Sequence, residues 1–123
     1  MASPLRRRIA PSVPYTLNVE NDGGDKFSLS FRLAYDLNAL SLAEETLSRQ
    51  LGREINIFAE IAKCLDIPSI RTTSILFWAA VGLNHPEWRG EDGLEALRSC
   101  VTIKDLKDVA SVCAEAFILQ LPA

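Results

Sequence analysis

One histidine, one methionine and three cysteines are all that 123 residues offer for metal or thiol chemistry, and no two cysteines stand as Cys-x-x-Cys. Cys64, Cys100 and Cys113 are odd in number, which argues against a secreted disulfide framework and against a structural zinc site. Cys64 and Cys113 fall on apolar faces of expected helices, so they read as small core residues in a reducing cytosol. His85 has no partner at metal-ligand or triad spacing. The chain also lacks a Gly-rich phosphate loop, an internal repeat, a secretory signal and any apolar run of the about 20 residues that a membrane span needs. Positive charge does not predominate either, with 13 Lys and Arg against 16 Asp and Glu. A net charge of −3 argues against a protein that grips a phosphate backbone through a basic face.

Acid–base chemistry is equally thin. Glu44 and Glu45 are adjacent on an expected helix and diverge by about 100°, so they cannot flank one bond as a glycosidase pair does. The Asp22-Gly-Gly-Asp25 turn has neither the alternating oxygen ligands nor the closing glutamate of a calcium loop. We therefore expect no enzyme, no metal and no cofactor. With 48% hydrophobic and 24% charged residues, the composition is that of one globular domain with a single core.

Residues 1–14 carry Arg6, Arg7 and Arg8 among Pro4, Pro11 and Pro14 and read as a flexible basic arm, either a solvated tail or a contact for an acidic partner. Residues 15–20 and 26–33 then alternate apolar and polar around Asn21-Asp-Gly-Gly-Asp25, which predicts a β-hairpin over 15–33 with Phe27, Leu29, Phe31 and Leu33 on one apolar face. Helices are expected over about 37–51, 57–65, 69–83, 91–99 and 103–121. Asp36 and Asn56 stand as caps, and Thr102 with Asp105 as a weak capping box. Their inward stripes are Leu37, Leu40, Ala43, Leu47 and Leu51, then Ile57, Phe58, Ile61 and Leu65, then Ile103, Leu106, Val109, Ala110, Cys113, Ala116 and Phe117. Residues 69–83 end in an almost uninterrupted apolar run, as expected of a helix covered on several sides. The fold class is α+β, mainly α: a hairpin packed on a compact bundle of four to five helices, in one domain over 15–123.

A few residues break these patterns. Glu44 falls inside its apolar stripe, which asks for an arginine or free backbone amides as partners and suggests a structural strut more than a functional acid. Leu42 points away from the same stripe, as a lone exposed leucine or part of a contact patch. Trp78 falls opposite the buried face of its helix, so it is either covered by another segment or left for a partner. Ile118, Leu119 and Leu121 make the last turns apolar nearly all round, for burial under the hairpin or for a partner or second subunit. Leu42, Trp78, Ile118, Leu119 and Leu121 are thus the candidate partner contacts.

Phe31-Arg-Leu-Ala-Tyr-Asp-Leu-Asn-Ala-Leu40, Glu44-Glu45, Gly52-Arg-Glu-Ile-Asn56 and Leu76-Phe-Trp-Ala-Ala-Val81, in that order, resemble the phage tail assembly chaperones of gene-transfer-agent and siphophage type. The resemblance spans roughly residues 15–85 and stops where Trp88-Arg-Gly-Glu-Asp-Gly93 replaces the Thr-x-Glu-Glu-like helix start usual in such proteins. It implies a non-enzymatic protein of the bacterial host cytoplasm that coats the tape-measure protein until tail-tube subunits polymerise around it. The tail-tube protein is a second candidate client, and self-association stays open. Neither nucleic acid nor membrane is an expected partner. A structural head–tail connector or tail-completion subunit is the alternative reading. A helix-turn-helix over 57–83 is disfavoured, because its second helix is too apolar and too poor in Arg and Lys to read a groove.

Overall fold

The computed structural model describes residues 10–121, so the Arg6–Arg8 run of the expected arm lies outside it. Two antiparallel strands, β1 (Val13–Glu20) and β2 (Lys26–Leu33), precede five helices. These are α1 (Leu37–Leu51), α2 (Ile57–Asp66), α3 (Ile70–Asn84), α4 (Glu91–Cys100) and α5 (Leu106–Ile118), with a 3-10 turn over Pro86–Trp88 before α4. The chain is α+β and mainly α. None of the helices of the described residues is long and apolar enough to cross a membrane.

The hairpin starts at Val13, inside the segment expected to be arm, because Val13 is buried opposite Leu33. Its turn is held by Asn21 Oδ1, which accepts from the Gly23 and Asp25 amides at 3.0 Å each, and Gly24 takes φ 82. The Asn21 amide donates to Asp25 O, which fixes the alternation of the ladder. Thr16–Ser30 and Asn18–Ser28 are then close, non-hydrogen-bonded pairs, and their side chains bond each other at 3.2 and 2.9 Å. Pro14–Arg32 belongs to the same set, which is why a proline without an N–H is tolerated there. Arg32 turns its own backbone outward: its N–H donates to His85 Nε2 at 2.9 Å and its carbonyl accepts from Asn84 Nδ2 at 3.2 Å. Leu17, Phe31 and Leu33 are buried, whereas Phe27 beside the turn is exposed, so only the open end of the apolar face is covered.

Helix α3 is the axis of the molecule and packs against α1, α5, β2, α4 and the 3-10 turn. Ser69 caps it by accepting from the Thr72 amide, and every residue from Ile75 to Gly82 is buried. Tyr15 and Phe31 meet the Phe77 ring edge-on at 6.0 and 5.8 Å. The Tyr35 hydroxyl donates to Leu76 O at 2.8 Å, and burial raises the pKa of this phenol well above its ordinary value. Burial likewise pushes the neighbouring Cys113 thiol up to about 12, which keeps it protonated.

Several positions differ from the sequence expectation. In α1 the buried arc runs from Leu40 through Ala43 and Leu47 to Thr46, and Leu37 lies about 60° past its edge, exposed. In α2 the inward line is Ile57, Ile61 and Cys64; Phe58 and Leu65 stand roughly 80–100° off it and are exposed. Phe58 rests against Phe117 of α5, ring centroids 5.8 Å apart. Helix α5 begins at Leu106 and not at residue 103, after a turn over 103–105. The Asp105 carboxylate accepts from the Thr102 amide and hydroxyl at 3.1 and 2.9 Å, which is the backward half of the expected capping box; the forward half, a helix amide bonded to the Thr102 hydroxyl, does not form. Ile103 at the tip of that turn is 91% exposed and no part of the core.

Candidate partner-binding groove

Helices α1 and α4 both pack on α3 yet scarcely touch each other. The space between them is a groove of about 630 Å³, lined on α1 by Leu42, Thr46, Arg49 and Gln50 and on α4 by Glu91, Leu94, Glu95 and Arg98, with Trp78 of α3 between them. A hollow of about 330 Å³ continues from it past Leu42, Trp78 and Arg89 toward Asp36 and Asn38. The walls follow from helical spacing. Glu91, Leu94, Glu95 and Arg98 are i, i+3, i+4 and i+7 on one face of α4, and Leu42, Thr46 and Gln50 are successive turns of α1.

Local packing sets the width. Trp78 Nε1 donates to Trp88 O at 2.9 Å, and Gly93 sits over that same carbonyl, where a Cβ would lie 1.8 Å from the oxygen. The absent side chain is thus what lets α4 settle against the 3-10 turn. Arg89 closes the far end of α3 by donating from Nε to Gly82 O at 2.7 Å and from Nη2 to Leu83 O at 3.3 Å. A cation is favoured at a helix C-terminus, and Gly82 leaves room for the arginine stem. Trp88 is half-buried, with its ring edge-on to Phe31 at 5.7 Å, so the loop is pinned to the hairpin side of the core.

Only one charged contact spans the groove among the described residues. Arg49 Nη1 lies 3.7 Å from Glu91 Oε1, with side chains 61% and 89% exposed. So exposed a pair contributes little to stability. Thr46 is unlike everything around it. It is 7% exposed, and its Oγ1 has no hydrogen-bond partner among the described residues.

The expected partner contacts divide into two groups. Leu42, 36% exposed, and Trp78, 4% exposed, come together in the groove. Trp78 is therefore not a free ring awaiting a partner, because the 3-10 turn and α4 cover most of it. Ile118, Leu119 and Leu121 are exposed at the end of α5, where Gln120 Nε2 donates to Pro11 O, and they line no part of the groove. The burial under the hairpin that was one reading of these turns is not what the structure shows. Glu44 is half-buried, and its Oε2 accepts from the Ile57 amide at 3.0 Å, so it ties α1 to the first turn of α2. A carboxylate is well placed there, at the positive end of a helix dipole.

The sequence reading missed Thr46, Arg49, Arg89 and Leu94 as groove residues. The i, i+3, i+4, i+7 pattern of α4 was a usable signal, but the placement of α4 rests on Gly93, whose role is legible only in three dimensions. Comparison of the chain with models of protein families, with curated proteins and with solved structures finds no match.

Proposed function

We propose that this protein is a phage or prophage tail assembly chaperone, a non-enzymatic binder that holds the tape-measure protein soluble in the host cytoplasm before the tail tube polymerises around it. The observation that carries this reading is the α1–α3–α4 groove, which has apolar residues inside and charges of both signs at its rim. Such a cleft suits an amphipathic client helix, whose apolar face would lie on Leu42 and over the small edges of Trp78 and Leu94 that reach the groove floor. The resemblance of residues 31–40, 52–56 and 76–81, in that order, to such chaperones is in keeping with the same reading. The exposed Ile118, Leu119 and Leu121 offer a second apolar contact for a long client or for another subunit.

The test is co-expression with a fragment of a tape-measure protein. The fragment should stay soluble and co-purify, and Leu42→Glu or removal of residues 118–123 should weaken the complex at least several-fold while circular dichroism stays native. Retention of full binding by both folded variants refutes the surface. A structural connector would remain in purified particles, where mass spectrometry should find no copy of a chaperone.

A further inference from the structure

We propose that His85 is a proton-operated latch on the hairpin: neutral, its ring holds the backbone of Arg32, and protonated, it releases that backbone and turns to Glu87. His85 is the one histidine of the chain, and it lines neither part of the groove described above. Its Nε2 accepts the Arg32 N–H at 2.9 Å. A backbone amide nitrogen only donates, so the ring nitrogen it meets must offer a lone pair. The neutral ring then carries its own proton on Nδ1. That nitrogen lies 3.7 Å from Glu87 Oε1, which is beyond hydrogen-bond distance.

A second proton has only Nε2 to go to. Once it is there, two N–H groups point at each other and the bond to Arg32 is lost. The charged ring needs an acceptor instead. Among the described residues Glu87 is the one carboxylate within ion-pair distance of it, on the 3-10 turn that begins directly after His85. The Glu87 side chain is exposed, so a small swing closes the gap. The other groups around the ring do not compete for this role. Phe31 meets it edge-on at 5.6 Å, Arg32 Nε donates to Ser12 Oγ at 3.0 Å, and the Arg89 guanidinium is engaged with the Gly82 and Leu83 carbonyls. Each protonation state of His85 thus has its own partner, and a histidine ordinarily changes state between pH 5 and 8. Opening stays local. Asn84 Nδ2 still holds Arg32 O, and the Ala34 amide still donates to Ala80 O at 3.3 Å. What acid adds is the Arg32 N–H, returned unpaired to the outward edge of β2.

Nuclear magnetic resonance of the 15N-labelled full chain reads both ends of the latch. Long-range correlations of the imidazole report which ring nitrogens carry protons, and hydrogen exchange reports the protection of single amides. At about pH 7.5 the ring should be neutral with its proton on Nδ1 and the Arg32 amide protected. At about pH 5 both ring nitrogens should be protonated. Protection of the Arg32 amide should then fall by about tenfold or more, as loss of one hydrogen bond implies, while that of Ala34 stays within about twofold. Cross-relaxation between the His85 ring and the Glu87 side chain should strengthen over the same step. His85→Gln supplies an acceptor oxygen that does not titrate, so Arg32 should keep the same protection at both pH values. A ring that stays neutral at pH 5, an Arg32 amide indifferent to ring protonation, or an equal loss at Ala34 overturns the latch, and these wild-type readings decide without the variant. The same pH-dependent loss in folded His85→Gln also overturns it. Unchanged cross-relaxation removes Glu87 as the partner of the charged ring.

Discussion

Gly93→Ala gives the sharpest check on how α4 is seated, because two effects of opposite sign compete and the structure decides between them. In a helix free of tertiary contact, replacing glycine by alanine stabilises by about 0.5–1 kcal/mol through lost unfolded-state freedom. At residue 93 the new methyl would lie 1.8 Å from Trp88 O, a backbone atom that cannot swing aside like a side-chain tip. Helix α4 must lift, or the 3-10 turn must shift. Overpacking of this kind costs roughly 1–3 kcal/mol. The displaced carbonyl also releases Trp78 Nε1, a donor on a ring only 4% exposed, at about 1–3 kcal/mol more. Set against the propensity gain, the net is destabilisation of about 1–5 kcal/mol. Urea unfolding followed by tryptophan fluorescence reads both the midpoint and the environment of Trp78. The variant should unfold at lower urea and its native emission should shift to the red. A midpoint equal to or above that of wild type would show that α4 does not rest on the Trp88 carbonyl, and the groove as described would lose one wall.

Three further outcomes follow from the same geometry. Glu44→Ala should destabilise by about 1 kcal/mol or somewhat more by removing the acceptor of the Ile57 amide, and Glu44→Gln should recover at least half of it; equal losses in the two variants, measured by urea midpoint, would remove the strut. Burial raises the Tyr35 and Cys113 pKa values above those of the unfolded chain, so the unfolded state sheds protons first as pH rises. The Cys113 contribution should be constant below about pH 9 and the Tyr35 contribution below about pH 10, each then falling by roughly 1.4 kcal/mol per pH unit; Cys113→Ala should reduce the slope between pH 9 and 12, and an unchanged slope would contradict the burial of this thiol. Native-state labelling with a thiol reagent should modify half-buried Cys100 first, leaving Cys64 and Cys113 protected until unfolding; rapid labelling of all three would refute the packing of α5 against α2 and α3.

How much of this was legible in the sequence depended on whether a pattern was set locally. The hairpin, α1 and α2 were readable because Asn21-Asp-Gly-Gly-Asp25, Asp36 and Asn56 punctuate them through bonds within a few residues, and α3 because its second half is an almost uninterrupted apolar run. The start of α5 was not, because only the backward half of the Thr102–Asp105 box forms and residues 103–105 close a turn before the helix begins. Phe58 and Leu65 were assigned inward because they are large and apolar, but α2 meets its neighbours along one narrow line and leaves them outside. For the groove, Leu42 and Trp78 were visible as residues that broke their helical pattern, and their meeting was not. That meeting depends on a glycine 15 residues beyond Trp78 and on a backbone carbonyl, neither of which carries a periodicity.

The clasp on Arg32 has a consequence for how crowded molecules of this protein behave. A two-stranded sheet offers two raw edges to which any stray extended segment can add itself. On one edge, Asn84 and His85 occupy both backbone groups of Arg32, and on the other, directly across, Pro14 has no N–H to offer. Docking of a foreign strand is thereby hindered at the open end of the hairpin on both sides, whereas residues 16–20 and 26–30 keep their outward edges. An added strand would therefore meet a block at the open end of the hairpin, made by the last residue of α3, the histidine after it and one imino acid.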